Sequence, residues 1–503
     1  MSSMTWVSLG AYFVMMLALG FYAWRKAKAD AEGYLLGGRD LGPAVTALSA
    51  GASDMSGWLM MGLPGAVYTG GISAAWIGIG LTLGAWANYR VVAARLRTYT
   101  AIAGDAITIP DFLAARFGDP GHLLRLVSAA VIILFFALYC SAGMVAAGKF
   151  AVAALGMDYL SGVALATGVV IIYVLFGGFL AVSLTDFVQG TIMFVGLVLV
   201  PLVAIATIGG WGELAPSLAL AEDGKGLDPG ALTALLGAGG VLGIISTAAW
   251  GLGYFGQPHI IVRFMAIRRV ADLPTARRIN IIWMAVSLAG AVLTGLIGAA
   301  WVAKGNPAPA DAETIFITFA RVLFHPLVTG FLLAAILAAI MSTISSQLLV
   351  TASSIAEDVY RGILKPDASE ASVVLLGRAA VVAVSAVAAW LALDPERSIL
   401  GLVSNAWAGF GAAFGPVIIA ALWWRRTTRA GALAGMIVGT AVVIAWMSAG
   451  LSDTMYEIVP GFIAASLAIW LVSRMTPEPS ADTLRQFDEA AALATRGSTP
   501  ANL

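Results

Sequence analysis

Apolar residues run along the chain in blocks long enough to cross a bilayer, and short polar stretches between them hold nearly all the charge. The blocks lie at about 5–24, 44–68, 72–89, 126–148, 160–182, 187–209 and 234–256, then at 280–303, 322–350, 379–393, 398–422, 430–450 and 454–474. A helix needs about 20 apolar residues to span the hydrocarbon core. Lipid-exposed backbone must satisfy its own hydrogen bonds, which selects helices. The pattern predicts an all-α polytopic membrane protein with 13 transmembrane helices.

Charge sets the expected orientation. With the N-terminus outside, alternation places 23 basic residues on the inner side and 5 on the outer. The inner set begins with Arg25, Lys26, Lys28 and Arg39 and includes Arg263, Arg268 and Arg269; the outer set is Lys149, Lys225, Lys304, Arg321 and Arg397. Basic residues favour the cytoplasmic side, so an N-out, C-in arrangement follows. The first block carries its positive flank after it, as expected of a retained span rather than a cleaved leader.

Composition supports this reading. The 503 residues are 60% hydrophobic and 11% charged, against about a quarter charged in soluble domains. Basic and acidic residues number 28 each, leaving no net field for nucleic acid. The single cysteine, Cys140, excludes an internal disulfide. No GxxxxGK[ST] loop occurs, and His122, His259 and His325 lack zinc spacing, which removes two familiar enzyme classes.

Spans two to six and seven to eleven are two groups of five, and an odd number in series must run in opposite senses. The expected units are residues 1–43 (first span and inner loop), 44–209 (first repeat), 210–233 (external loop), 234–422 (second, inverted repeat), 423–475 (two further spans) and 476–503 (a cytoplasmic tail with room for one short helix). A short amphipathic piece near 312–323 is expected at the outer surface. Glycine- or proline-interrupted helices at corresponding places in two halves point to a transport site. The first members of the two groups qualify: Ser49-Ala-Gly-Ala-Ser-Asp-Met-Ser-Gly-Trp58 and Ala249-Trp-Gly-Leu-Gly-Tyr-Phe-Gly-Gln-Pro258.

Asp54 is the most informative residue, because an intramembrane carboxylate costs several kcal/mol without a cavity or partner. With Ser49, Ser53 and Ser56 it offers hard oxygens to a small cation, and it also suits the cap of a second half-helix. Span nine adds Ser342, Thr343, Ser345, Ser346 and Gln347. Hydroxyls in membrane helices often bond back to the preceding turn, but five polar residues in six positions read better as a binding face. Trp58, Tyr139, Trp250 and Tyr254 lie inside spans, where they can wall a small ring or simply pack. Asp186, placed at the start of span six after an inner loop at 177–185, suits an N-cap or an inner gate. Arg39 suits an inner-gate partner or an interfacial anchor.

The two interrupted strings, together with Ala338-Ala-Ile-Met-Ser-Thr343 and Leu402-Val-Ser-Asn-Ala-Trp-Ala-Gly-Phe-Gly-Ala-Ala-Phe-Gly-Pro416, resemble the bacterial sodium/proline symporters, a branch of the sodium/solute symporter family. The resemblance runs from about residue 20 to the end of span thirteen. It implies a sodium ion between spans two and nine, held by carbonyls of Ala52, Met55 and Ala339 and hydroxyls of Ser342 and Thr343, with Asp54 organising the site. It implies L-proline beside Ser56, Trp58, Tyr139, Trp250, Tyr254 and Pro258, and a gating or coupling role for Arg39 and Asp186. Two positions depart from the pattern: Ser346, where the best-known relative has a cysteine, and Asn405, where it has a tyrosine. The expected activity is uptake across the cell's inner (plasma) membrane, one sodium per proline, by a carrier that is not an enzyme. A solute sensor, a channel, and a symporter for another solute or for protons stand as alternatives.

Overall fold

Helices form where the apolar blocks lie, and their ends are set by local chemistry. The computed structural model describes residues 1–26, 31–237 and 239–496; Lys28 of the expected positive flank lies outside them. The helices keep the span numbers used above. Side-chain N-caps start several of them: Asp158 for span five, Ser369 for span ten, Ser398 for span eleven and Thr428 for span twelve. Each accepts a backbone amide that the first turn leaves unpaired.

Among the described residues, nine helices are long and apolar enough to cross a membrane. They correspond to spans one, four, six and eight to thirteen. The other four blocks are helical as well, but broken, shorter or more polar. Span two runs Pro43–Asp54, stops, and resumes through Trp58–Gly62 and Leu63–Gly70. Span seven runs Gly240–Ala248 and Ala249–Gly256, stops at Gln257, and resumes as Pro258–Ala266. Both expected interruptions are present.

Several boundaries differ from expectation. The block at 234–256 ends at the break of span seven and misses its second half, because Arg263 and His259 dilute the apolar signal there. Span three continues from Ala75–Asn88 through Tyr89–Ala93 to Ala94–Ile102, so Arg90, Arg95 and Arg97 sit on helix and not in a loop. Spans five and six form Tyr159–Thr207, interrupted only at Gly178 (φ 58°). The expected loop at 177–185 is therefore mostly helix. Between spans six and seven, Leu214–Lys225 is helical, as are Ile315–Val322 and the tail segment Ala481–Arg496. The tail helix buries Phe487, Ala490 and Leu493, with Phe487 edge-on to Tyr99 and Asp488 paired with Arg425 at 3.0 Å.

Interior packing centres on the two broken helices. The first half of span two touches spans six, eight and nine and the second half of span seven. Span three meets span seven backbone to backbone: a Cβ on Gly80 would lie 2.1 Å from the Ala248 carbonyl oxygen, and one on Gly84 would lie 2.2 Å from that of Gly251. No side chain fits between these helices. Gly84→Val is therefore expected to destabilise by roughly 1–3 kcal/mol or more, the cost of overpacking. Gly168→Ala, where an added methyl meets nothing within 4 Å, should be nearly silent. Thermal unfolding of the two variants in detergent checks both.

Candidate functional site

The site is built from backbone that the break in span two releases. At the break Met55 adopts φ −81°, ψ 76°, and the helical ladder stops. The Ser56 amide turns back to the Asp54 carbonyl at 3.0 Å, and the Trp58 amide goes to the Ser56 hydroxyl at 3.4 Å. The carbonyls of Ala52 and Asp54 are then served by side chains. Ser342 Oγ donates to the Ala52 oxygen at 2.8 Å and Thr343 Oγ1 at 3.3 Å. Ser342 Oγ also lies 3.2 Å from the Ala339 oxygen. Four neutral, hard oxygens thus converge between spans two and nine, the donor set a small monovalent cation prefers. The Met55 carbonyl is not among the oxygens these hydroxyls touch; its amide still closes the first half-helix onto Gly51 at 2.9 Å.

Aromatic groups gather on the other face of the break. The Trp58 indole donates to the Asp54 carbonyl at 3.1 Å, and the Tyr139 hydroxyl approaches the same oxygen at 3.4 Å. The Asp54 carboxylate accepts the Tyr254 hydroxyl from span seven through Oδ2. Trp58 and Trp250 rings lie 6.0 Å apart. Ser56, Trp58, Tyr139, Trp250, Tyr254 and Pro258 are all buried, and Pro258 opens the second half of span seven. Five expected substrate residues and Asp54 therefore surround one interruption, with Pro258 at the matching one.

A family model for the sodium:solute symporter family matches residues 34–439, which takes in both broken helices and the hydroxyl face of span nine. The chain belongs to the sodium:solute symporter family. It is 56% identical to the high-affinity proline transporter PutP of Bacillus subtilis (strain 168), covering 94% of this chain and 98% of that one. It is 50% identical to a sodium/proline symporter of Staphylococcus aureus (strain JH9), covering 95% and 94%. Its fold matches that of a sodium-coupled sialic acid symporter solved in a substrate-bound, outward-open state: TM-score 0.76, 18% identity, 95% and 99% of the two chains.

Within this symporter two charged residues lie elsewhere than their sequence context predicts. Asp186 does not begin span six. It lies about two turns inside the helix that resumes at Gly178, fully buried, so it caps nothing. Arg263 does not sit in an inner loop. It is buried in the second half of span seven and pairs with Asp186 at 3.3 Å. Ser49 Oγ donates to Asp186 Oδ2 at 2.7 Å, and Arg263 Nη2 donates to Ser346 Oγ at 2.6 Å and Nε to Ser49 Oγ at 3.1 Å. The pair therefore links spans two, six, seven and nine. Its signal in the sequence was a lone arginine in the apolar run Pro258–Ala266.

Further residues near the breaks carry no local sequence signal. Trp407 of span eleven reaches the Trp250 carbonyl at 2.7 Å, which Gly253 permits, since a Cβ there would lie 1.9 Å from the indole nitrogen. Tyr456 stacks on Trp250 at 5.5 Å. Of the span-nine hydroxyls, Ser345 bonds back to the Ser342 carbonyl at 3.0 Å, an ordinary helix-internal contact. Arg39 lies away from the break. It pairs with Asp105 at 2.8 Å, donates to the Ala106 oxygen at 2.8 Å and approaches Met265 O at the end of span seven at 3.4 Å. Beside it Leu41 and Ile267 form a short parallel bridge.

The Asp186–Arg263 pair yields a stability prediction. Arg263→Gln leaves a buried carboxylate without its counter-charge and is expected to cost about 3–5 kcal/mol, whereas the double change with Asp186→Asn recovers much of it. Thermal unfolding of the two variants in detergent provides the comparison; equal losses would show that the pair is not coupled.

Proposed function

We propose that this symporter imports L-proline together with sodium by alternating access. The observation that carries the reading is the convergence of Ser342 and Thr343 on the Ala52 carbonyl, directly beside an interruption walled by Trp58, Tyr139, Trp250 and Tyr254. The choice of proline is supported by the names of relatives that are 50–56% identical over nearly the whole chain. The apolar ring fits aromatic walls, and both charged ends of the zwitterion need polar partners.

In this reading sodium enters from outside and takes the oxygens of Ala52, Met55, Ala339, Ser342 and Thr343, bracing span two against span nine. Asp54 holds the geometry, since its carbonyl carries Trp58 and Tyr139 and its carboxylate carries Tyr254. Coupling is reciprocal: if sodium tightens proline binding by some factor, proline tightens sodium binding by the same factor. Arg39 and Asp186 act in gating and release. The arrangement is 13 spans, N-out and C-in, in the plasma membrane as an inverted repeat, with one sodium per proline. A tenfold sodium gradient supplies roughly 1.4 kcal/mol and ~100 mV adds about 2.3 per charge. One ion then supports accumulation on the order of 500-fold, so the arithmetic needs no second.

Proteoliposomes with an imposed sodium gradient test the activity: labelled proline should accumulate against its gradient, and simple equilibration would exclude a coupled carrier. Asp54→Asn is expected to raise the sodium concentration for half-maximal uptake by roughly tenfold or more, the scale of one charge-assisted hydrogen bond. Proline affinity at saturating sodium should change less; an unaltered sodium dependence would remove the role given to Asp54. The double variant Ser342→Ala, Thr343→Ala should lose coupled uptake, and normal uptake would place the ion elsewhere.

A further inference from the structure

Spans three and eight share a strip of surface that joins unpaired charge to an apolar recess. On span three Ile79, Leu83, Trp86 and Arg90 are all exposed and recur at three- and four-residue steps, the spacing of one helix face. Arg278, Ile282, Ala285 and Ala289 repeat the pattern on span eight. Ile79, Leu83, Ala285 and Ala289 line one recess between the helices, about 530 Å³ in volume. Gly78 brings the helices together there, since an added Cβ would lie 3.3 Å from that of Leu288. At the other end of the strip Arg277 feels the charges of both Arg90 and Arg278. The helices therefore run antiparallel, and both stripes end in arginine at the same level. Among the described residues no carboxylate pairs with Arg90, Arg277 or Arg278. Asp272, the nearest acidic residue in sequence to Arg277, is already held by Arg268 at 2.9 Å and Arg269 at 2.8 Å. Arg90 lies 5.9 Å from the Trp86 ring, a contact that does not cancel its charge. Like charges beside apolar surface repel more strongly than in open water.

We propose that this strip binds one anionic phospholipid, with its phosphate among Arg90, Arg277 and Arg278 and an acyl chain in the recess. Both halves of that ligand are needed. A soluble anion would leave the recess unfilled, and a neutral lipid would leave three arginines facing one another. The lengths agree as well. Ile79 and Arg90 are eleven residues apart, about 16 Å along the helix axis. That is close to half the ~30 Å hydrocarbon core, the reach of a chain from one leaflet. Arginine suits the headgroup because its planar fork meets phosphate oxygens in pairs. The bound phosphate replaces repulsion between the ends of spans three and eight with attraction to a common centre.

The test titrates the delipidated full-length protein, in neutral detergent, with dioleoyl phosphatidylglycerol or dioleoyl phosphatidylcholine and reads the first bound copy by native mass spectrometry. Wild type should hold phosphatidylglycerol at least tenfold more tightly, since three basic residues favour an anionic headgroup by up to roughly 100-fold; equal affinities overturn the proposal. The triple change Arg90→Gln, Arg277→Gln, Arg278→Gln should bring phosphatidylglycerol down to the phosphatidylcholine level. The double change Lys365→Gln, Arg474→Gln removes exposed charge elsewhere and should keep the full preference. If it loses as much as the triple variant, the attraction belongs to the whole surface and the site is refuted. Ala289→Leu fills the recess without touching charge and should weaken phosphatidylglycerol several-fold; unaltered binding removes the chain from the proposal and so defeats it. Glycerol 1-phosphate at equal concentration should not displace the lipid, and displacement would mean a phosphate site rather than a lipid site. Should the triple variant fail to fold, Arg278→Gln alone decides: a loss of roughly fivefold supports the site, and no loss rules it out.

Discussion

The constraint on which this structure depends is the set of backbone carbonyls released where span two stops at Met55. A peptide carbonyl inside a bilayer cannot turn to lipid, and leaving it unpaired costs several kcal/mol. Three of the helices at the break therefore supply donors. Span nine sends Ser342 and Thr343 to Ala52, span four sends Tyr139 towards Asp54, and span two bends its own Trp58 back onto the same oxygen. The interruption thus dictates which helices must adjoin it, and with what side chains. Because these donors come from different helices, the site can form only when the helices are in register.

The same logic extends to the second broken helix. Span seven resumes at Pro258 and carries Arg263 into the interior, where the charge is tolerable only beside Asp186 and the hydroxyls of Ser49 and Ser346. Buried pairs add little net stability but penalise any rearrangement that separates them. Each end of the bundle has its own ties. Arg39 binds the loop before span two to Asp105 and to the end of span seven. Lys149 pairs with Asp311 and Glu313 at 2.7 and 2.8 Å, and Glu313 in turn accepts the first amides of span eleven.

What the sequence disclosed follows from how strongly each signal stands above its background. A carboxylate flanked by glycines and serines inside an apolar block is improbable by chance, and Asp54 was legible for that reason. Of the five polar residues in six positions on span nine, only Ser342 and Thr343 meet the break in span two, whereas Ser345 bonds back within its own helix and Ser346 meets Arg263. Boundaries were weaker wherever apolar character fades inside a helix: the half-helix containing His259 and Arg263 reads as loop, and the C-terminal end of span three reads as a basic linker. Asp186 was misplaced because the glycine pair before it looks like a turn, whereas only Gly178 leaves the helical region and the helix resumes at once. The partners themselves, such as Arg263 for Asp186 or Trp407 for Trp250, are separated by 77 and 157 residues. No local pattern encodes such pairs; they exist only once the helices pack.

The chemistry of the oxygen cluster explains why a carrier is built from hydroxyls and carbonyls here. In the proposed reading, neutral ligands would bind sodium by dipole alone, and the Ala52 carbonyl would exchange the hydroxyl hydrogens of Ser342 and Thr343 for the ion. The net gain from any one such exchange is small, on the order of 1 kcal/mol. An ion held this way binds when the outer concentration is high and leaves when the inner one is low. A carboxylate in direct contact would add a full charge in a medium of low dielectric, where the attraction is several times stronger than in water, and would slow release. The Asp54 carboxylate is occupied by Tyr254 while its backbone oxygen holds Trp58 and Tyr139, so in the proposed reading one residue would shape both sites without trapping the ion. The same position ties the oxygen cluster between spans two and nine to the aromatic groups around Trp58, so a shift at one is felt at the other through a single turn of chain.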